Sequence, residues 1–119
     1  MHGPSFMGNP TACAAANASM DLFESEPRLE QVADLAAAFE RLRPLENQSV
    51  VAEVRVRGAV AAVELNTEFD KYDAIQFFVS QGVWIRPINK AVYLAPSLNI
   101  EMPELQMLSD AIYAFVNQF

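Results

Sequence analysis

Apolar and polar positions follow two rhythms along this chain, and each change of rhythm marks an element. Asn9-Pro10 opens a helix. An asparagine side chain accepts from an orphan backbone N–H, and proline at the first helical position loses nothing by lacking its own. This helix runs through Ala12 to Ala18, where small side chains leave a nearly smooth surface, and ends near Glu24 to Glu26 before Pro27. A second helix is expected from Arg28 to Arg43. Leu29, Val32, Ala36 and Phe39 fall on one face at 3–4 residue spacing, Leu35 and Leu42 widen that face, and Pro44 closes the helix.

After Val50 the period falls to two. Val50, Ala52, Val54 and Val56 alternate with Val51, Glu53, Arg55 and Arg57, the pattern of a half-buried strand with the first set inward. Gly58 allows a turn or bulge, and Ala61, Val63 and Leu65 form the return strand. Asp70 caps a short helix reaching Gln81, and Gly82 suits its left-handed end. Val83–Arg86 and Ala91–Leu94 read as two short strands joined by Pro87-Ile88-Asn89-Lys90. A last helix starts near Pro103 with a weak cap, because Met102 precedes the proline, and carries Leu105, Leu108, Ile112, Phe115 and Phe119 on one face. The order predicts an α+β fold, a small and mostly antiparallel sheet covered by helices. Residues 1–9 form an irregular segment outside it.

The bulk numbers set limits on this picture. One domain fits 119 residues, and 52% hydrophobic with 19% charged residues excludes a disordered chain. A net charge of -7 argues against nucleic acid, whose phosphates need a basic face, and against a polybasic membrane patch. No apolar run approaches the roughly 20 residues of a membrane-spanning helix. The opening Met1-His2-Gly3-Pro4 has no basic stretch of a targeting signal, and the single Cys13 fits a reducing, cytoplasmic setting. His2 has no second metal-ligating neighbour, so no metal site is expected.

Two places carry candidate chemistry. Gly3-Pro4-Ser5 sets a hydroxyl beside glycine ahead of a helix N-terminus, which suits either a plain turn or a phosphate contact. Arg86 sits in the apolar run Val83-Trp84-Ile85, where a guanidinium must reach solvent, an ion pair or a bound anion. Tyr93 reads as a half-buried strand tyrosine. Lys71 at a helix start and Lys90 in a turn both read as solvated.

Two stretches, residues 1–10 (Met-His-Gly-Pro-Ser-Phe-Met-Gly-Asn-Pro) and Gly82-Val83-Trp84-Ile85-Arg86-Pro87, with Val51 to Ala59 between them, resemble the C-terminal part of class III pyridoxal-phosphate aminotransferases. The resemblance runs almost end to end. It implies the small C-terminal domain of a fold-type I enzyme over residues 10–119, with residues 1–9 serving the cofactor phosphate and the subunit interface. It further implies a cytoplasmic homodimer that moves an amino group from S-adenosylmethionine to 8-amino-7-oxononanoate in biotin biosynthesis.

By the same resemblance Gly3, Pro4 and Ser5 contact the cofactor phosphate of the neighbouring subunit, with serine where the family usually has threonine. Arg86 binds the substrate carboxylate, and Tyr93 and Gly3 line the substrate site. Ile88-Asn89 and Ala95-Pro96-Ser97-Leu98 depart from the family pattern. The lysine that holds the cofactor lies upstream in the family, so this chain is expected to be a truncated or split product without a catalytic residue and inactive alone. Two alternatives stand beside this reading: a non-catalytic α+β ligand-binding or interaction module, and a class III aminotransferase with another amino acceptor.

Overall fold

Local chemistry at the ends of each segment decides where the elements begin. A computed structural model describes residue 3 and residues 5–119, and the chain divides into two compact units, Met1–Glu30 and Gln31–Phe119. In the first, helix α1 (Pro10–Ser25) starts as its sequence predicts, with Asn9 Oδ1 accepting from the Ala12 N–H at 3.0 Å. It stops where Glu26 turns extended ahead of Pro27. Among the described residues α1 buries none. Helix α2 (Arg28–Phe39) follows.

Beyond Phe39 the sequence reading needs correcting. The α-helix does not continue to Arg43; it tightens into a 3₁₀ helix, Glu40–Asn47, with Pro44 inside it. Phe39, Leu42 and Leu45 are spaced by three, so a three-residue turn stacks all of them on one side, and each is fully buried. In that turn the N–H of residue 44 would donate to the Arg41 carbonyl. Proline has none, and the Tyr113 hydroxyl donates to that carbonyl instead, at 2.6 Å.

The sheet has three antiparallel strands among the described residues, in the order β1 (Val51–Arg57), β2 (Val60–Leu65), β3 (Ala91–Leu94). A second correction concerns the inward face of β1. Val51 pairs with Leu65 but Glu53 pairs with Glu64, so Ala52 is an extra residue in a bulge. The bulge reverses the alternation: Val51 and Val54 are buried, and Ala52 is exposed. Ala61, Val63 and Leu65 face the core as expected. Arg57 pairs with Val60 across Gly58-Ala59, and Gly58 takes φ +55°, the backbone a two-residue hairpin needs at its first turn position.

Helix α3 (Lys71–Ser80) is capped by Asp70, whose Oδ1 accepts from Tyr72 N–H at 2.8 Å and Asp73 N–H at 3.0 Å. Gly82 closes it with φ +76°, and Val83 N–H returns to Phe78 O at 3.1 Å. That bond explains a third correction: Val83–Arg86 does not form a strand. Val83 has given its N–H to the helix end, Pro87 has no N–H, and pairing with β3 is confined to the bridge between Ile88 and Ala91. Helix α4 (Met102–Val116) starts one residue earlier than expected and has a real cap, because Glu101 N–H donates back to Glu104 Oε2 at 3.3 Å. Leu105, Ile112 and Phe115 face the core, whereas Phe119 is half-exposed at the edge of an aromatic group with Phe69 and Phe115. Buried Ser109 is satisfied by the Leu105 carbonyl at 3.0 Å.

Candidate functional site

Though it lacks ladder partners, the stretch from Trp84 to Pro87 still alternates. Ile85 and Pro87 are buried, so Trp84 and Arg86 between them point outward. Arg86 is exposed, and among the described residues no carboxylate lies within ion-pair distance of it. The contrast is with Arg41, Arg43 and Arg55, each held by Asp or Glu at 2.5–3.4 Å. Burial of two apolar neighbours thus holds out a guanidinium with its donors unspent, a geometry suited to a carboxylate that arrives from outside.

Tyr93 belongs to a different surface. In the register of the sheet Arg55 lies opposite Ala62 and Ala62 opposite Tyr93, so one methyl group separates two large side chains. The gap is the floor of a depression of about 560 Å³, walled by Arg55, Glu64, Ile88, Asn89, Lys90 and Tyr93. Arg55 donates to Glu64 at 2.9 Å and to Glu53, and these bonds, Glu64's first, raise its pKa above the ordinary guanidinium value. Arg86 does not line this depression. Of its walls, sequence reasoning named only Tyr93 as a site residue. The notch exists only once the register places Ala62 between two longer neighbours, which the sequence alone does not show.

In the first unit Gly3 and Ser5 are exposed, and His2 and Pro4 lie outside the described residues. A Cβ on Gly3 would come within 2.7 Å of Met7 Cε, so the glycine lets the chain fold back on that side chain. Lys71 is exposed at the start of α3. Lys90 lies 3.8 Å from Glu68. Neither lysine is enclosed by apolar side chains. Among the described residues no group of three potential metal ligands occurs, and no helix is long and apolar enough to cross a membrane.

The sequence matches the class III aminotransferase model over residues 1–116. The chain belongs to the class III aminotransferases. Enzymes of this family depend on pyridoxal phosphate. Adenosylmethionine-8-amino-7-oxononanoate aminotransferase of Buchnera aphidicola subsp. Acyrthosiphon pisum is 39% identical over 99% of the chain, and that of Corynebacterium glutamicum 35% over 98%. In each case the chain spans 28% of the relative's own length. The crystal structure of the Methanocaldococcus jannaschii aminotransferase of the same name superimposes on 98% of the chain with a TM-score of 0.85 at 29% identity. The chain covers 30% of that structure. An omega-transaminase of Thermomicrobium roseum gives 0.87 at 26% identity over 99% of the chain and 29% of its own. The α+β arrangement of this chain is therefore one found within class III transaminases.

Proposed function

We propose that these residues are the C-terminal part of a pyridoxal-phosphate aminotransferase of biotin biosynthesis, which transfers an amino group from S-adenosylmethionine to 8-amino-7-oxononanoate. The family match over residues 1–116, with relatives of that name at 35–39% identity, is the observation that carries the reading. Arg86, without an ion-pair partner among the described residues, supplies the grip on the acceptor: its planar fork takes a carboxylate through two charge-assisted bonds, each contributing roughly 1.5–3 kcal/mol. Tyr93 lines a separate depression with Ile88 and Asn89, so its hydroxyl would meet a part of the acceptor away from the carboxylate held by Arg86, and that wall would set which acceptor fits.

Residues of the opening segment suit one end of the cofactor. Ser5 is exposed beside a glycine pressed against Met7, so a hydroxyl is available where a phosphate oxygen can approach. Gly3, Pro4 and Ser5 would hold the phosphate of a neighbouring subunit in a cytoplasmic homodimer. When bound, pyridoxal phosphate supplies the electron sink for amino transfer. Covalent attachment of the cofactor is left to a lysine elsewhere in the complete enzyme, since Lys71 is solvated and Lys90 is engaged by Glu68.

Against a free-standing binding module stands the chain's span of only 28% of the length of the aminotransferases it matches. The test is an assay of the 13.2 kDa chain with pyridoxal phosphate, S-adenosylmethionine and 8-amino-7-oxononanoate, beside the native protein from cells. Amino transfer by the native species, of larger mass, and none by the isolated chain is expected. Turnover by the isolated chain overturns the division of labour. A native species that uses a different oxo-acid overturns the assigned acceptor.

A further inference from the structure

One edge of the sheet, β1, is met by side chains of the 3₁₀ helix. β1 is an outer strand, and its residues that do not bond to β2 turn their backbone groups away from the sheet. Such an edge is a template for another strand. At Val54, the most buried residue of β1, both outward groups are occupied by side chains of the 3₁₀ helix. Glu46 Oε1 accepts from the Val54 N–H at 3.1 Å, and Arg43 Nη1 donates to the Val54 carbonyl. Arg43 and Glu46 also pair with each other at 3.4 Å, and Glu40 holds Arg43 from its other side at 3.2 Å. One acceptor and one donor, tied together, thus reproduce what a residue of a fourth strand would offer. The bulge at Ala52 interrupts the edge on one side of this pair, and the hairpin turn ends it on the other.

We propose that the Arg43–Glu46 pair is a side-chain plug that closes the β1 edge against a second copy of this chain. Without it, Val54 and Val56 of two copies would face each other antiparallel, a self-complementary contact about a two-fold axis. This inference is independent of the aminotransferase reading, because it rests only on the hydrogen bonds made around β1.

Amide hydrogen exchange at Val54 tests it in the full chain and, separately, in the Arg43→Ala/Glu46→Ala variant, each followed over a dilution series. In the unmodified chain exchange should be slow at every concentration. In the variant it should be at least about tenfold faster when dilute and become slow again on concentration, as a second copy supplies the missing acceptor. Adding Val56→Pro removes an outward donor and should abolish the return to slow exchange. Slow exchange in the dilute variant shows that something else covers Val54. Exchange that stays fast at all concentrations shows that the exposed edge recruits no partner. A concentration dependence that survives Val56→Pro places the contact elsewhere, and each of these three results overturns the proposal. Should the double variant fail to fold, Glu46→Ala carries the same measurement at the N–H, since Arg43 keeps Glu40.

Discussion

At Arg86 the direction of a side chain is set by its neighbours. Ile85 and Pro87 are drawn into the core, and the guanidinium is held outside it without an acidic partner among the described residues. If that side chain grips the acceptor's carboxylate, Arg86→Lys in the complete enzyme keeps the charge and loses the fork. KM for the oxo-acid should rise roughly tenfold while cofactor retention is unchanged. An unaltered KM in steady-state kinetics removes Arg86 from the site. Asn89, two residues past Pro87, poses a different question. Its φ of +52° is strained for most side chains and tolerated by asparagine, so Asn89→Ala should cost about 1 kcal/mol in thermal unfolding and Asn89→Gly little. The guanidinium was legible in the sequence as a lone charge in an apolar run. Asn89 was not, because its turn is fixed by the bridge between Ile88 and Ala91 rather than by its own neighbours.

Among the elements, those with both ends marked were the ones the sequence specified well. Asp70 and Gly82 bracket α3, and Asn9 and Pro27 bracket α1. Asp70→Ala, which leaves two N–H groups of the first turn uncapped, should lower stability by about 1 kcal/mol in denaturant unfolding. Reading failed where one element borrows a group from another. The strand expected at Val83–Arg86 loses a donor to the end of α3, and Glu46 and Arg43 serve β1 from a helix. The 3₁₀ segment is the clearest case. Pro44 looks like a stop signal, yet the chain turns on through it because Tyr113 of α4 supplies the hydrogen bond that proline cannot. Tyr113→Phe should therefore cost about 1 kcal/mol. In a Pro44→Ala background that cost should shrink, since alanine restores an N–H to the Arg41 carbonyl, and a double-mutant cycle measures the difference. Equal costs in both backgrounds would refute the exchange of donors.

For the molecule as a whole, the distribution of apolar surface bears most directly on what kind of protein this is. In the unit Met1–Glu30, Phe6 and Met7 are exposed, and on α1 Met20 and Phe23 show 60% and 57% of their surface. Fully burying one such side chain contributes roughly 1.5–3 kcal/mol, so leaving several in water forgoes a large share of a domain's net stability. The chain spans 28% of the length of the relatives it matches, and under the proposed function the rest of an aminotransferase polypeptide would cover that surface. Such a cover has a measurable consequence. Met20 and Phe23 lie three residues apart on one face, and neither is buried within the chain, so Met20→Lys/Phe23→Glu should leave the melting temperature of the isolated chain within a few degrees. The same pair should weaken binding of a hydrophobic dye by the isolated chain and, in the complete enzyme, impair folding or assembly. Both effects follow if α1 meets the rest of the polypeptide through this face. A complete enzyme that assembles and turns over normally with both charges in place would show that the face remains in water, and the exposed apolar surface would then need another partner.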